Sequence, residues 1–168
     1  FTLVELMGVM VVIGILAGLT LGGAGAVRRH GAVSTAKAEI AALQAACERY
    51  YADNQAYPTT NNLPDPASSF SPASASYTSA GSMLFVSLYG AKQFGGSPST
   101  KRYFEPKVSM VNTNSGNHYF VDPWGYAYGY NCTTNSDGSY NPPLIWSTAG
   151  MTTGGGATNK WITSWPKM

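Results

Sequence analysis

Between Phe1 and Val27 the sequence FTLVELMGVMVVIGILAGLTLGGAGAV carries one ionisable side chain, Glu5. A helix of about 20 apolar residues is enough to cross a bilayer. A run of this length therefore belongs in lipid or among similar segments, and no small globule can hide it. A carboxylate within such a run is costly unless a cation pairs with it. The nearest cation is an α-amino group at Phe1, which makes Phe1 and Glu5 the first candidate functional residues. A chain that opens on Phe, with no secretory cleavage signature, is expected to be the processed product of a longer precursor.

Arg28, Arg29 and His30 close the apolar run, where basic side chains reach a polar interface. Beyond them Val33, Ala36, Ile40, Leu43, Cys47, Tyr50 and Asn54 recur at steps of three and four, the pattern of one helix face. Lys37, Gln44 and Glu48 fall on other faces, as an amphipathic helix requires. Pro58 stops the helix, and Tyr57 before it is biased toward extended backbone. The expectation is one nearly continuous helix from about residue 2 to about residue 55, roughly 80 Å long.

The remainder predicts short elements. Segment 58–81 is rich in Pro, Ser, Thr and Asn and reads as loop; Ser82–Lys92 reads as a short amphipathic helix. Strands are expected at His118–Val121, Tyr126–Asn131, Leu144–Thr148 and Lys160–Trp165, with turns at Asp122–Gly125 and Asn135–Ser139 and a loop at Gly154–Gly156. The predicted fold class is α+β: a long N-terminal α-helix, apolar in its first half and amphipathic in its second, packed on a small antiparallel β-sheet with long loops. Residues 1–27 form an apolar transmembrane and filament-core helix. Residues 28–168 form a globular domain, with an amphipathic helix over 28–56, a loop-rich insertion over 58–118 and a C-terminal sheet over 119–168.

Composition narrows function. Charged residues make up 11% of the 168, and the net charge is +2. About 25% charged is usual for a soluble domain, so the surface suits an exported protein better than a cytosolic one. The basic residues are scattered, with no dense stripe of the kind that binds nucleic acid. Two histidines, His30 and His118, are too few for a metal site, and no nucleophile elbow, phosphate loop or dinucleotide fingerprint occurs. The chain does not read as an enzyme. Its many tyrosines and tryptophans read mainly as core and sheet packing. Two cysteines, Cys47 on the apolar helix face and Cys132 at the end of a predicted strand, favour a disulfide in an exported chain; two buried free thiols are the alternative. Gly14, Gly18 and Gly22 lie four apart, followed by Gly23 and Gly25. Such spacing allows close helix approach in apolar surroundings, and it also weakens the helix, since each Gly costs about 1 kcal/mol relative to Ala.

The N-terminal Phe1, Glu5 and the uncharged run FTLVELMGVMVVIGILAGL resemble the type IV pilin and type II secretion pseudopilin superfamily. The stretch AALQAACERYYADNQAYPTT at 41–60 resembles the helix end of the major pseudopilins, through Tyr50, Asp53, Asn54, Tyr57, Pro58 and Thr59. VDPWGYAYGY at 121–130 is similar to a second motif of that group, and the C-terminal IWSTAGMTTGGGATNKWITSW is similar in outline to its last loop. The resemblance implies cleavage by a prepilin peptidase just before Phe1, N-methylation of Phe1, and pairing of Glu5 with the Phe1 amine of a neighbouring subunit. It implies a helical homopolymer, fed from the bacterial inner membrane by an assembly ATPase and platform protein, that ends as a periplasmic or extracellular filament serving protein transport. The chain lacks the proline that related pilins carry near position 22, and a stretched segment is expected within 14–25 of the assembled state.

One departure from the group concerns calcium. Major pseudopilins carry an acidic, calcium-binding C-terminal loop, whereas residues 147–161 here contain no Asp or Glu. Calcium needs several hard oxygen ligands, so no cofactor is expected. Two other functions stay open on the sequence: a surface type IV pilus subunit for adhesion or motility, and a monomeric membrane-anchored binding module.

Overall fold

A computed structural model describes residues 2–156 and 159–166, with backbone alone for residues 20–24. Helix α1 runs without a break from Leu3 to Asn54. Its 52 residues span roughly 78 Å at 1.5 Å per residue. Gln55 ends it in the left-handed region at φ 55°, and its N–H donates to the Tyr51 carbonyl at 2.8 Å. The chain then turns through Tyr57–Pro58. The expected apolar face is the one that packs: Ala36, Ile40, Leu43, Ala46 and Cys47 are buried, and Val33 and Tyr50 lie at the margin.

The segment after α1 is less loop-like than its composition predicts. Strand β1 is Ser69–Phe70, and helix α2 covers Ala75–Tyr89, seven residues ahead of the expected start at Ser82. The Ser and Thr residues that read as loop sit inside its first turns. Thr78 Oγ1 donates back to the Ser74 and Ala75 carbonyls at 3.3 Å each, so its hydroxyl is satisfied within the helix. Tyr77, Ala80, Gly81, Leu84, Phe85 and Leu88 form the buried face at helical spacing. Gly90, at φ 77°, ends α2 after Tyr89, three residues short of the expected end at Lys92.

After a short 3-10 turn at Val108–Met110 come β2 (Val111–Asn114) and β3 (Asn117–Phe120), paired antiparallel with Val111 opposite Phe120. Their two-residue turn, Ser115–Gly116, has φ of 51° and 81°, the primed geometry that matches strand twist. Strands β4 (Gly129–Asn131), β5 (Leu144–Ser147) and β7 (Ile162–Thr163) form a three-stranded antiparallel sheet in the order β4-β5-β7. Gly154–Gly155, expected as loop, is strand β6 and pairs with β1, Phe70 opposite Gly154. A side chain at Gly154 would meet the Phe70 ring at 2.7 Å, so the pairing depends on glycine there.

One core joins these pieces. Leu84, Phe85, Leu88 and Tyr89 of α2, Phe120, Tyr130 and Ile145 of the sheets, Tyr128 just ahead of β4, and the buried face of α1 form its main cluster. A second cluster stacks Trp146 on Trp161, nearly parallel with ring centres 6.0 Å apart, and adds Phe70 and Tyr77. The Trp146 indole N–H donates to the Tyr77 hydroxyl at 3.0 Å. At Gly129 a Cβ would lie 2.0 Å from the Trp146 ring, so the indole occupies the space a side chain would need.

Candidate functional site

The first half of α1 is exposed at every described side chain from Thr2 to Leu19 and from Gly25 to His30. Leu3, Val4, Leu6, Met7, Val9, Met10, Val11, Val12, Ile13, Ile15, Leu16, Leu19 and Val27 are all exposed, from 56% to 77%. They point to every side of the helix, so no single apolar stripe exists that one partner element within the domain would cover. Among the described residues no helix is long and apolar enough to cross a membrane. The described part of the run, Leu3–Leu19, falls just short of the roughly 20 residues a span needs.

Glu5 has a local role that the sequence reading missed. Its Oε2 accepts from the Thr2 backbone N–H at 2.7 Å and from the Thr2 hydroxyl at 3.0 Å, while Thr2 Oγ1 accepts from the Glu5 N–H at 3.4 Å. This is a reciprocal capping box, written in the sequence as Thr2-Leu3-Val4-Glu5. It satisfies helix N-terminal donors that would otherwise face an apolar medium. A carboxylate has about four acceptor sites, so capping in its own chain leaves acceptor capacity for a cation brought by a neighbour.

At the other end, two carboxylates fasten the sheet. Tyr128, buried beneath α1, donates to Glu39 Oε2 at 2.6 Å. Burial holds the Glu39 carboxyl above the usual carboxylate range, against the opposing pull of the Tyr128 hydroxyl. Asp122, 2% exposed, organises the turn ahead of β4. Its Oδ1 accepts from the Trp124 and Tyr126 N–H groups at 3.0 and 2.9 Å, and its Oδ2 from the Ser147 hydroxyl at 2.6 Å. Burial raises this carboxyl too, and the Ser147 and backbone donors offset only part of that. Sequence reading assigned Asp122 to a turn but not to the bond with Ser147, which lies across the sheet.

Type II secretion system core protein G of Pseudomonas aeruginosa is 43% identical to this chain over 60 residues, which is 36% of this chain and 42% of that protein. This chain therefore matches less than half the length of that relative. The matched sequence accompanies the architecture just described, a long capped helix with an uncovered apolar half ahead of a small α+β head. The match, over part of the chain, supports the resemblance to the pilins and pseudopilins. No family model matches the chain, and no solved structure does.

The structure places the remaining candidates as follows. Phe1 lies outside the described residues, as do the surroundings of Gly22 and Gly23. Gly14, Gly18 and Gly25 lie on α1 with open space where a Cβ would stand, and α1 is helical through all five glycine positions in the single chain. Cys47 and Cys132, expected as a disulfide, stand here as free, buried thiols. They share the main core cluster, and the Cys132 thiol lies near the Asn141 carbonyl at 3.9 Å. Burial pushes the Cys47 thiol well above its ordinary value, which keeps it protonated and unreactive. Among the described residues no group of three or more His, Cys, Asp or Glu stands close enough together to hold a metal.

Proposed function

We propose that the chain is a structural subunit of a helical filament, a pseudopilus or pilus-like fibre of the major-pseudopilin type, assembled from the bacterial inner membrane. The supporting observation is the uncovered half of α1. Burying one such apolar side chain contributes about 1.5–3 kcal/mol. The 13 large ones exposed there amount to roughly 20–40 kcal/mol, more than the 5–15 kcal/mol that typically stabilises a whole domain. Residues 1–27 belong in lipid before assembly and in a bundle of identical helices after it.

A repeated contact that does not close on itself produces an open fibre. Glu5, already capping its own helix, accepts the Phe1 amine of the adjoining subunit and so fixes axial register. A helix slipped by one turn would leave both charges unpaired, which costs on the order of 3–5 kcal/mol. Gly14, Gly18, Gly22, Gly23 and Gly25 permit either close packing or local stretching there. Prepilin peptidase, N-methylation at Phe1 and an assembly ATPase with its platform protein are what the superfamily resemblance implies. The subunit itself carries out no catalysis and needs no cofactor.

The test is Glu5→Ala in the native host. Filaments should be lost while the protein still inserts in the membrane, and a wild-type fibre yield would overturn the assignment. Fibres outside wild-type cells would assign the chain to a surface pilus. A strictly monomeric protein indifferent to Glu5 would assign it to a binding module.

A further inference from the structure

On the bare half of α1, Glu5, Gly8, Val9, Val12 and Ile13 line a groove of about 490 Å³. Gly8 makes the notch in it: nothing lies within 4 Å of the point where its Cβ would stand. The side-chain walls are aliphatic apart from one carboxylate, Glu5, three residues before Gly8. Residues three apart on a helix are surface neighbours, their Cβ positions about 5–6 Å apart. Glu5 commits its Oε2 to the Thr2 N–H and hydroxyl, and its Oε1 accepts from no described residue.

Two demands meet in this groove once the tail is buried among copies of itself. A cation must reach the open side of Glu5, because an unpaired carboxylate in apolar surroundings is costly. The notch must also be filled, since close-packed interiors hold few voids larger than a water molecule. Tight packing is what holds helices together where no water is left to expel. Phe1 answers both demands. Its α-amino group and its benzyl ring stand on one Cα, so an amine seated on Glu5 brings the ring within about one helical turn of Gly8, roughly 5.4 Å. The ring comes from another copy: Thr2 already fills the capping side of Glu5 and stands six residues, about 9 Å along the axis, before Gly8.

We propose that the Gly8 notch seats the Phe1 ring of the adjoining copy, a contact that rests on the Glu5–Phe1 pairing of the proposed filament. Glu5 holds the amine and the notch holds the ring. Together they fix the rotation of one helix against the next as well as its axial register, and Gly8 makes position 1 specific for an aromatic side chain.

The test is run on the full chain in the native host, with fibre yield read from sheared material and insertion from alkaline-washed membranes. Near-UV circular dichroism of each detergent-extracted variant verifies the folded head. Gly8→Leu closes the notch and should lower fibre yield by about tenfold, the size of an overpacking penalty, with insertion unchanged. Gly8→Ala fills the notch only in part and should lower yield less. Phe1→Ala, in material whose N-terminal peptide mass verifies cleavage, should also lower yield. Combined with Gly8→Leu it should recover part of the loss, because one bulky side chain again occupies the space. A helical reconstruction of wild-type fibres decides without any substitution: the Phe1 ring of one copy should lie within about 4.5 Å of Gly8 in another. Wild-type yield from Gly8→Leu, a double variant no better than Gly8→Leu alone, or a reconstruction with the ring elsewhere overturns the notch and leaves the Glu5 pairing standing. Wild-type yield from Glu5→Ala, or a reconstruction with the Phe1 amine remote from every Glu5, overturns the pairing beneath it.

Discussion

Replacing Asp122 with Ala removes the acceptor for three buried or half-buried donors: the Trp124 and Tyr126 N–H groups and the Ser147 hydroxyl. A buried donor left unsatisfied costs about 1–3 kcal/mol. Three of them would total about 6 kcal/mol at mid-range, and release of a desolvated carboxylate returns part of that. A net loss of about 3–5 kcal/mol is expected. For a chain of this size each kcal/mol lowers Tm by about 2–4 °C, so Tm should fall by about 6–20 °C, read as the near-UV signal of the stacked Trp146 and Trp161 in detergent. The pH dependence has a definite sign. Burial raises the folded carboxyl of Asp122 above its unfolded value, so the native state holds this proton more tightly. Its contribution to stability is therefore largest at low pH and declines as pH rises from about 4, the unfolded value, through the folded one. Glu39, also raised, titrates with the same sign, so the Asp122 component is the difference between wild type and Asp122→Asn, which should lose it. A variant Asp122→Ala within about 2 °C of wild type, less than 1 kcal/mol, would refute the assignment of Asp122 as the turn's organising acceptor. So would an Asp122→Asn protein with the full wild-type pH slope.

Two further outcomes follow from packing. Gly129→Ala puts a Cβ 2.0 Å from the Trp146 ring; overpacking of this kind costs about 1–3 kcal/mol or more, and denaturant midpoints should shift down accordingly, whereas Gly138→Ala, at φ 82° with open space around it, should show only backbone strain. Cys47 and Cys132, both buried thiols, should resist maleimide in the folded protein and take up two labels on unfolding. A native mass two hydrogens lighter, restored by reductant, would establish the disulfide instead.

The long helix was legible because its signals are local: a 3.6-residue repeat, abundant Ala, and Tyr57–Pro58 as a stop. Strands β3, β4, β5 and β7 were legible in place, if not in length, from their aromatic and β-branched runs. What escaped depends on distant partners. Gly154–Gly155 has no strand signature and becomes one only because Ser69–Phe70 lies beside it. The first turns of α2 carry Ser and Thr that favour loops in isolation, and the buried Tyr77 and Ala80 outweigh that preference. Strand β2 had a usable clue in Asn114-Ser115-Gly116-Asn117, a hairpin turn that went unread. At the candidate site, Glu5 was visible as a lone charge, and its capping partner was visible too as a Thr-x-x-Glu spacing.

The unbroken passage of α1 from bare tail into the core of the head has a mechanical corollary. A tug on the tail is delivered along the rod as shear, spread at once over Ala36, Ile40, Leu43 and Cys47 and the Glu39–Tyr128 clasp. Shear geometry resists detachment far better than unzipping, in which contacts yield one after another. A fibre strung from such units would convey thrust from its base with little slack at each joint.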